Sequence, residues 1–371
     1  MKRIAVLVKP SSSLCNIRCQ YCFYADVSSM RAVKSFGKMT SETTEKMIEN
    51  IFVDLEDGDD LSIAFQGGEP TLAGLKFFKY LAEIISVQSK KVTVNYSIQT
   101  NGLLLNEKWC EFFKEYRFLV GLSIDGTKSR HDSYRLDTKG KGTFDRVLAS
   151  MQMLKQYAIP FNILCVVSKR LAEEANDVYD FLQEEKIDYC QFIPCLDELQ
   201  PTDKDDFALN PEGFYEFYKV IFNRWYEELK EGSYRSIKLF DDIINLLVLK
   251  KITACGIIGN CQIQYVIEAD GSVYPCDFYV LDEYRLGYIQ ESSLRELFSK
   301  ESAKQFICEK KELPNLCLNC PFRQQCHGGC KRMKDAVYVD GSGQFCGYQE
   351  ILKIIVPKLQ ELTILINNSV K

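Results

Sequence analysis

The stretch CNIRCQYC, residues 15–22, places three cysteines in eight positions, with three residues and then two between them. A closed structural metal site takes four protein ligands, so three thiols either call on a distant fourth ligand or leave one coordination position open. The spacing alone admits a zinc site completed from elsewhere, unconnected structural thiols, or a 4Fe-4S cluster with one iron free for another molecule. Open positions are where metals do chemistry, and the surroundings of the motif carry the decision.

Just before the motif runs RIAVLVK (3–9), the first of six short β-rich runs; the others are LSIAFQ (61–66), VTVNYSI (92–98), FLVGLSI (118–124), FNILCVV (161–167) and YCQFIPC (189–195). Between them lie helical patterns such as TSETTEKMIENIFVDL (40–55), with Thr40 or Ser41 as N-cap, and LAEEANDVYDFLQEEK (171–186). This alternation predicts an α/β fold with a parallel sheet, doubly wound or curled into a full or partial barrel. Polar or glycine-rich segments follow the strands: the cysteine motif itself, GGEPTL (67–72), QTNG (99–102), DGTKSRH (125–131), SKR (168–170) and LDELQ (196–200). Parallel α/β folds gather their active sites at that edge, and a common site is expected there.

The 371 residues, 46% of them hydrophobic, exceed what one core of roughly 250–300 residues uses, so two domains are expected, 1–235 and 236–371. The polar connection LQPTDKDDFALNPEGF (199–214) begins the link. A net charge of -5 without a basic patch excludes a nucleic-acid surface. The apolar run IAVLV (4–8) is shorter than a signal-peptide core of roughly 7–15 residues. ILKIIVPKLQELTILI (351–366) is broken by Lys, Pro, Gln and Glu, so no membrane span is expected and the location reads as cytoplasmic. Sixteen cysteines in such a chain point to metal or redox chemistry rather than disulfides, and only His131 and His327 are there to share it.

Eight of those cysteines form a second field. Five residues separate Cys255 from Cys261 and fourteen lead on to Cys276; from Cys317, gaps of two, five, three and fifteen reach Cys320, Cys326, Cys330 and Cys346. IQYVIEADGSVYP (263–275) reads as a β-hairpin turning at Asp270-Gly271. Eight ligands suffice for two sites of four; proximity groups Cys317, Cys320, Cys326 and Cys330, and a four-cysteine zinc ribbon fits the spacing as well.

CNIRCQYCFY (15–24) followed by QGGEPTL (66–72) resembles the radical S-adenosylmethionine enzymes. That resemblance implies a partial (β/α)6 barrel and a 4Fe-4S cluster on Cys15, Cys19 and Cys22, whose open iron is chelated by the cofactor. It implies a 5′-deoxyadenosyl radical that abstracts a substrate hydrogen. It also implies cofactor contacts from Tyr21, Gly68, Ser123, Arg135 and Leu196. The glycines of GGEP can admit close backbone approach, and Pro70 favours an extended Glu69.

The second cysteine field resembles the SPASM domain of peptide-modifying radical enzymes. This implies two interlocked auxiliary 4Fe-4S clusters, one on Cys255, Cys261, Cys276 and Cys330, the other on Cys317, Cys320, Cys326 and Cys346, three clusters in all. Cys110, Cys165, Cys190, Cys195 and Cys308 are left as core or incidental thiols.

Along nearly the whole chain, LVKPSSSLCNIRCQYCFY, FQGGEPTLAGL, EADGSVYPCDFYVLD and CHGGCKR are similar to the anaerobic sulfatase-maturating enzymes. The reading expects no leader-recognition module before the first strand. The implied reaction oxidises a cysteine or serine in a C/S-x-A/P-x-R motif of an unfolded or nascent sulfatase to Cα-formylglycine. A Cβ hydrogen goes to the radical, a proton to Asp277, and an electron to an auxiliary cluster, with a flavodoxin or ferredoxin as donor. Asp282 is a second candidate base; Gln66 and Gln99 are candidate contacts to the peptide backbone, and the acidic run DLEDGDD (54–60) reads as a solvated loop. The alternative is a SPASM-type maturase that crosslinks or epimerises a ribosomal peptide.

Overall fold

The computed structural model describes residues 1–201, 206–309 and 311–369, so part of the expected link at 199–214 lies outside the described residues. In chain order the strands are β1 (Arg3–Val8), β2 (Ile17–Cys19), β3 (Asp60–Phe65), β4 (Thr93–Thr100), β5 (Leu119–Ser123), β6 (Arg135–Asp137), β7 (Phe161–Val167), β8 (Tyr189–Pro194), β9 (Ser236–Ile237), β10 (Val266–Ile267), β11 (Ser272–Tyr274) and β12 (Gly287–Tyr288). All six expected runs form strands. Each of β1, β3, β4, β5, β7 and β8 is followed by at least one helix, from Phe23–Ser29 and Ser41–Val53 after β1 to Pro211–Lys230 after β8.

Two units divide the chain. The first comprises Met1–Ser123, Arg135–Phe161 and Gln262–Glu309; the second comprises Ile124–Tyr134, Asn162–Cys261 and Lys310–Lys371. Within the first, the strand order is β12-β11-β10-β1-β3-β4-β5, with β1, β3, β4 and β5 parallel and in unbroken register. Successive strand side chains point to opposite faces, which is why RIAVLV buries Ile4, Val6 and Val8. A buried aromatic group packs within this unit: Phe65 lies 4.9 Å from Phe78, and Phe78 5.3 Å from Trp109, ring centre to ring centre. Each such ring contributes about 1.5–3 kcal/mol by leaving water. The helix Ser41–Val53 starts where its sequence says it should, since Thr40 Oγ1 accepts from the Thr43 amide at 3.1 Å. Within the second unit, β7, β8 and β9 are parallel neighbours.

Two features of the first unit position the site. The predicted hairpin forms as β10 and β11, Gly271 taking φ +84° at its turn, and β10 adds in parallel to β1, with Leu7 beside Val266 and Val8 beside Ile267. The motif strand β2 pairs antiparallel with β6, which sets Cys19 opposite Arg135. The acidic run at 54–60 is the expected solvated loop at its centre, where Glu56, Asp57 and Gly58 are exposed, but not at Asp54 and Asp59. Asp54 and Asp59 are buried because they accept from the backbone amides of Arg295 and of Lys2 and Glu56. Among the described residues, no helix is long and apolar enough to cross a membrane.

Candidate active site

The loops that leave β1, β3 and β4 are knitted together by the GGEP segment. The Gly68 amide donates to the Ser12 carbonyl at 2.8 Å, and the Glu69 amide to that of Leu14 at 2.8 Å. A Cβ on Gly68 would stand 2.1 Å from the Leu14 carbonyl oxygen, so only glycine lets the β3 loop lie against the cysteine loop. What presses on Gly68 here is the backbone that leads into Cys15. Glu69 is extended, as expected before Pro70. Its buried carboxylate is satisfied internally: Oε1 accepts from Thr71 and from Thr100 Oγ1 at 2.8 Å, and Oε2 from the Asn101 amide at 2.8 Å. Burial pushes that carboxyl's pKa up despite these bonds. Asn101 Nδ2 donates in turn to Asn16 Oδ1 at 2.7 Å, inside the cysteine motif.

Around the three thiols, Tyr21 is buried and Arg135 is 7% exposed, with its guanidinium 5.6 Å from the Tyr21 ring centre and 3.9 Å from Cys19 Sγ. Cys22 stands in extended conformation at the N-terminal boundary of the short helix Phe23–Ser29, its thiol making no capping bond. Burial drives the Cys15 thiol pKa up to about 11 and that of Cys22 upward as well. A thiolate is the metal-binding form, so half-buried thiols gathered by strand pairing suit a cationic iron centre that offsets this cost. Ser123 is the half-buried last residue of β5; Leu196, in the second unit, is buried just beyond β8.

Asp277 follows Cys276 and opens a 3-10 turn, Asp277–Tyr279. Lys9 Nζ lies 2.6 Å from its Oδ1, and Gln66 Nε2 donates to its Oδ2 at 3.0 Å. Its amide donates to Gln264 Oε1 at 3.2 Å, while Phe278 packs edge-on against Phe23 at 5.1 Å. Asp282, the second candidate, instead accepts from the Ala32 amide at 2.8 Å and ties down the chain after the motif helix. Gln66 spends its amide on Asp277, and Gln99 sits half-buried at the end of β4. Behind Asp277, Arg31 pairs with Glu268 at 2.7 Å with neither side chain exposed, and Tyr24 donates its hydroxyl to the same carboxylate. Burial raises the Glu268 pKa to about 7.

Sequence reading missed Lys9, Asn101 and Glu268. The one available signal for Lys9 was its place directly after an apolar strand whose following loop carries the cysteines.

In the second unit, Cys317, Cys320, Cys326 and Cys346 line one pocket together with Phe322, Tyr338 and Tyr348. Cys255 lies within electrostatic reach of Cys330 and Cys261. Cys346, remote in sequence, thus joins the group that proximity would have completed with Cys330. Among the described residues no three His, Cys, Asp or Glu side chains converge on a single-ion site. A four-iron cluster spreads its thiolates over separate irons and needs a wider frame, which an apolar pocket bearing four cysteines provides. The Tyr338 ring lies flat across Gly329, whose φ is +71° and whose added Cβ would stand 2.1 Å from the ring, and its hydroxyl donates to Gly256 O at 2.6 Å. Gly329→Ala is expected to displace that ring and lose the iron of the pocket while still cleaving S-adenosylmethionine; iron analysis giving full loading contradicts this.

A model of the Radical SAM superfamily matches residues 10–182, and one described as an iron-sulfur cluster-binding domain, SPASM, matches residues 255–321. The cysteine-type anaerobic sulfatase-maturating enzyme of Clostridium novyi is 41% identical over 350 residues, covering 93% of each chain. This chain belongs to the anaerobic sulfatase-maturating enzymes. The serine-type enzyme of Bacteroides thetaiotaomicron is 30% identical over 376 residues, covering 96% of this chain and 90% of that one. A solved structure described as native anSMEcpe with bound AdoMet and Kp18Cys peptide matches with a TM-score of 0.89 at 39% identity, over 98% of this chain and 99% of that one. The fold is therefore the family's, a radical SAM α/β partial barrel with a C-terminal SPASM domain. S-adenosylmethionine and iron-sulfur clusters, three in the SPASM subgroup, are its cofactors.

Proposed function

We propose that this chain oxidises the active-site cysteine of a sulfatase polypeptide, within a C-x-A/P-x-R sequence, to Cα-formylglycine, with Asp277 as the proton acceptor. The observation that carries the reading is Asp277 itself: a carboxylate 14% exposed, held by Lys9 and Gln66 and fixed through Phe278 to the helix that follows Cys22. Higher identity to the cysteine-type relative, 41% against 30% for the serine-type one, supports a cysteine target.

When bound, the cofactors supply one-electron chemistry: a 5′-deoxyadenosyl radical that removes the Cβ hydrogen, and clusters that accept the second electron. Cys15, Cys19 and Cys22 would hold the first cluster, and Tyr21, Gly68, Ser123, Arg135 and Leu196 the cofactor. The two auxiliary clusters would use Cys255, Cys261, Cys276 and Cys330, and Cys317, Cys320, Cys326 and Cys346. Asp277 takes the thiol proton through a carboxylate oxygen, and the thioaldehyde left on the peptide hydrolyses. Residues 1–235 carry the barrel and 236–371 the auxiliary domain; electrons come from a flavodoxin or ferredoxin, in the cytoplasm.

Two measurements test this. Anaerobically prepared protein is expected to hold about twelve iron atoms per chain, four for each of three clusters, with matching acid-labile sulfide. Incubated with S-adenosylmethionine, it is expected to convert a Cys-x-Pro-x-Arg peptide faster than its serine counterpart, the cysteine losing sulfur and two hydrogens and gaining one oxygen. Colourless zinc protein, or crosslinked or epimerised peptide, overturns the reading.

A further inference from the structure

We propose that Lys9 is the positioning residue for Asp277, its buried ammonium fixing the carboxylate in the orientation that meets the target thiol. The inference rests on the reading of Asp277 as proton acceptor. Lys9 has no exposed side-chain surface, and its Nζ lies 2.6 Å from Asp277 Oδ1. The two atoms lie this close without hydrogen-bond geometry between them, so charge rather than a directed hydrogen bond holds the pair.

Asp277 is the carboxylate that pairs directly with Lys9, while Glu268 and the Cys22 thiol feel its charge from farther off. Nζ stands 3.7 Å above the Tyr24 ring centre, a cation-π contact, while the carboxylate beyond that ring, Glu268, is engaged by Tyr24 and Arg31. The fold makes room for this arrangement. Gly67 has φ +129°, and a Cβ there would meet Lys9 Cβ at 3.2 Å and the Ser12 carbonyl at 2.9 Å. The two glycines of GGEP therefore serve different neighbours, Gly67 the stem of Lys9 and Gly68 the Leu14 carbonyl. A long cation is thereby threaded under the cysteine loop to one carboxylate oxygen, while Gln66 holds the other. With both oxygens held from neighbouring strand ends, the carboxylate cannot turn about its bond to Cβ. Freed at Oδ1, it can.

A double-mutant cycle tests this. Anaerobic reactions with S-adenosylmethionine and a Cys-x-Pro-x-Arg peptide are run on the iron-loaded protein and on Lys9→Met, Lys9→Arg, Asp277→Asn and the Lys9→Met/Asp277→Asn pair, reading formylglycine formed per 5′-deoxyadenosine released. Lys9→Met is expected to lower that ratio on the order of ten- to a hundred-fold, the scale of a misplaced reacting group. Lys9→Arg is expected to recover part of it, and the double variant to be no worse than Asp277→Asn alone, because Lys9 acts through Asp277. An unchanged ratio in Lys9→Met, or losses that multiply in the double variant, overturns the proposal. If Lys9→Met does not load iron, Lys9→Gln is read by the same criteria. An Asp277→Asn protein with an undiminished ratio instead removes Asp277 as the acceptor, which separates failure of that reading from failure of this one.

Discussion

Cys19→Ala is expected to abolish 5′-deoxyadenosine formation. Cys19 lies in β2, whose pairing with β6 is made by backbone groups, so alanine leaves the strand and its register with Arg135 in place. What is lost is one of three thiolates, and a cluster already short of a fourth protein ligand has none to spare. Iron should fall by about four atoms per chain from about twelve, the auxiliary clusters remaining. Cys110→Ala is the matched control, since Cys110 is a buried thiol on the helix Glu107–Glu115 and should leave cleavage intact. Chromatography of the nucleoside product decides between them. A Cys19→Ala protein that still releases 5′-deoxyadenosine contradicts assignment of the open iron to this motif.

Asp277→Asn is expected to separate the two halves of the reaction. Asparagine matches aspartate in shape, and its amide oxygen can still accept from Gln66, so the turn Asp277–Tyr279 and the Phe278–Phe23 contact should persist. The charge and the basic oxygen are gone. Loss of a positioned base costs about 10²- to 10⁴-fold, so formylglycine should fall by that factor while cofactor cleavage continues. The same change leaves the Lys9 ammonium buried without its counter-ion, a loss of about 3–5 kcal/mol where one partner of a buried pair is removed. A lowered melting temperature in Asp277→Asn, relieved when Lys9→Met is added, is the corresponding thermal signature. Full coupling in Asp277→Asn would rule out its role as proton acceptor.

The parallel strands were legible because buried strands of this kind read as near-continuous apolar runs, as RIAVLV and FNILCVV do. The two strands that organise the motif were not. β2 and β6 are three residues each, too short to carry a period, and their pairing joins segments more than a hundred residues apart. Among the cysteines, spacing revealed a metal-binding field but could not say which four share a pocket, because Cys346 reaches Cys317, Cys320 and Cys326 only through the fold. Lys9 was illegible for a different reason. A lysine at the end of a strand ordinarily reaches water, and only the packing of Tyr24, Asp277 and Gly67 around it shows that this one does not. The carboxylate chemistry split similarly: Asp277 and Asp282 lie five positions apart on one turn-rich segment, and only their partners, Lys9 and Gln66 against the Ala32 amide, tell them apart.

Central to the account is hydrogen abstraction from Cβ of a peptide cysteine. It is tested most directly with a Cys-x-Pro-x-Arg peptide carrying deuterium on both Cβ positions of the cysteine, incubated anaerobically with the reduced, iron-loaded protein and S-adenosylmethionine. The predicted result is 5′-deoxyadenosine bearing one deuterium for each peptide aldehyde formed, with the second deuterium retained on the formyl carbon. Unlabelled 5′-deoxyadenosine alongside a peptide still carrying both deuterium atoms would contradict it.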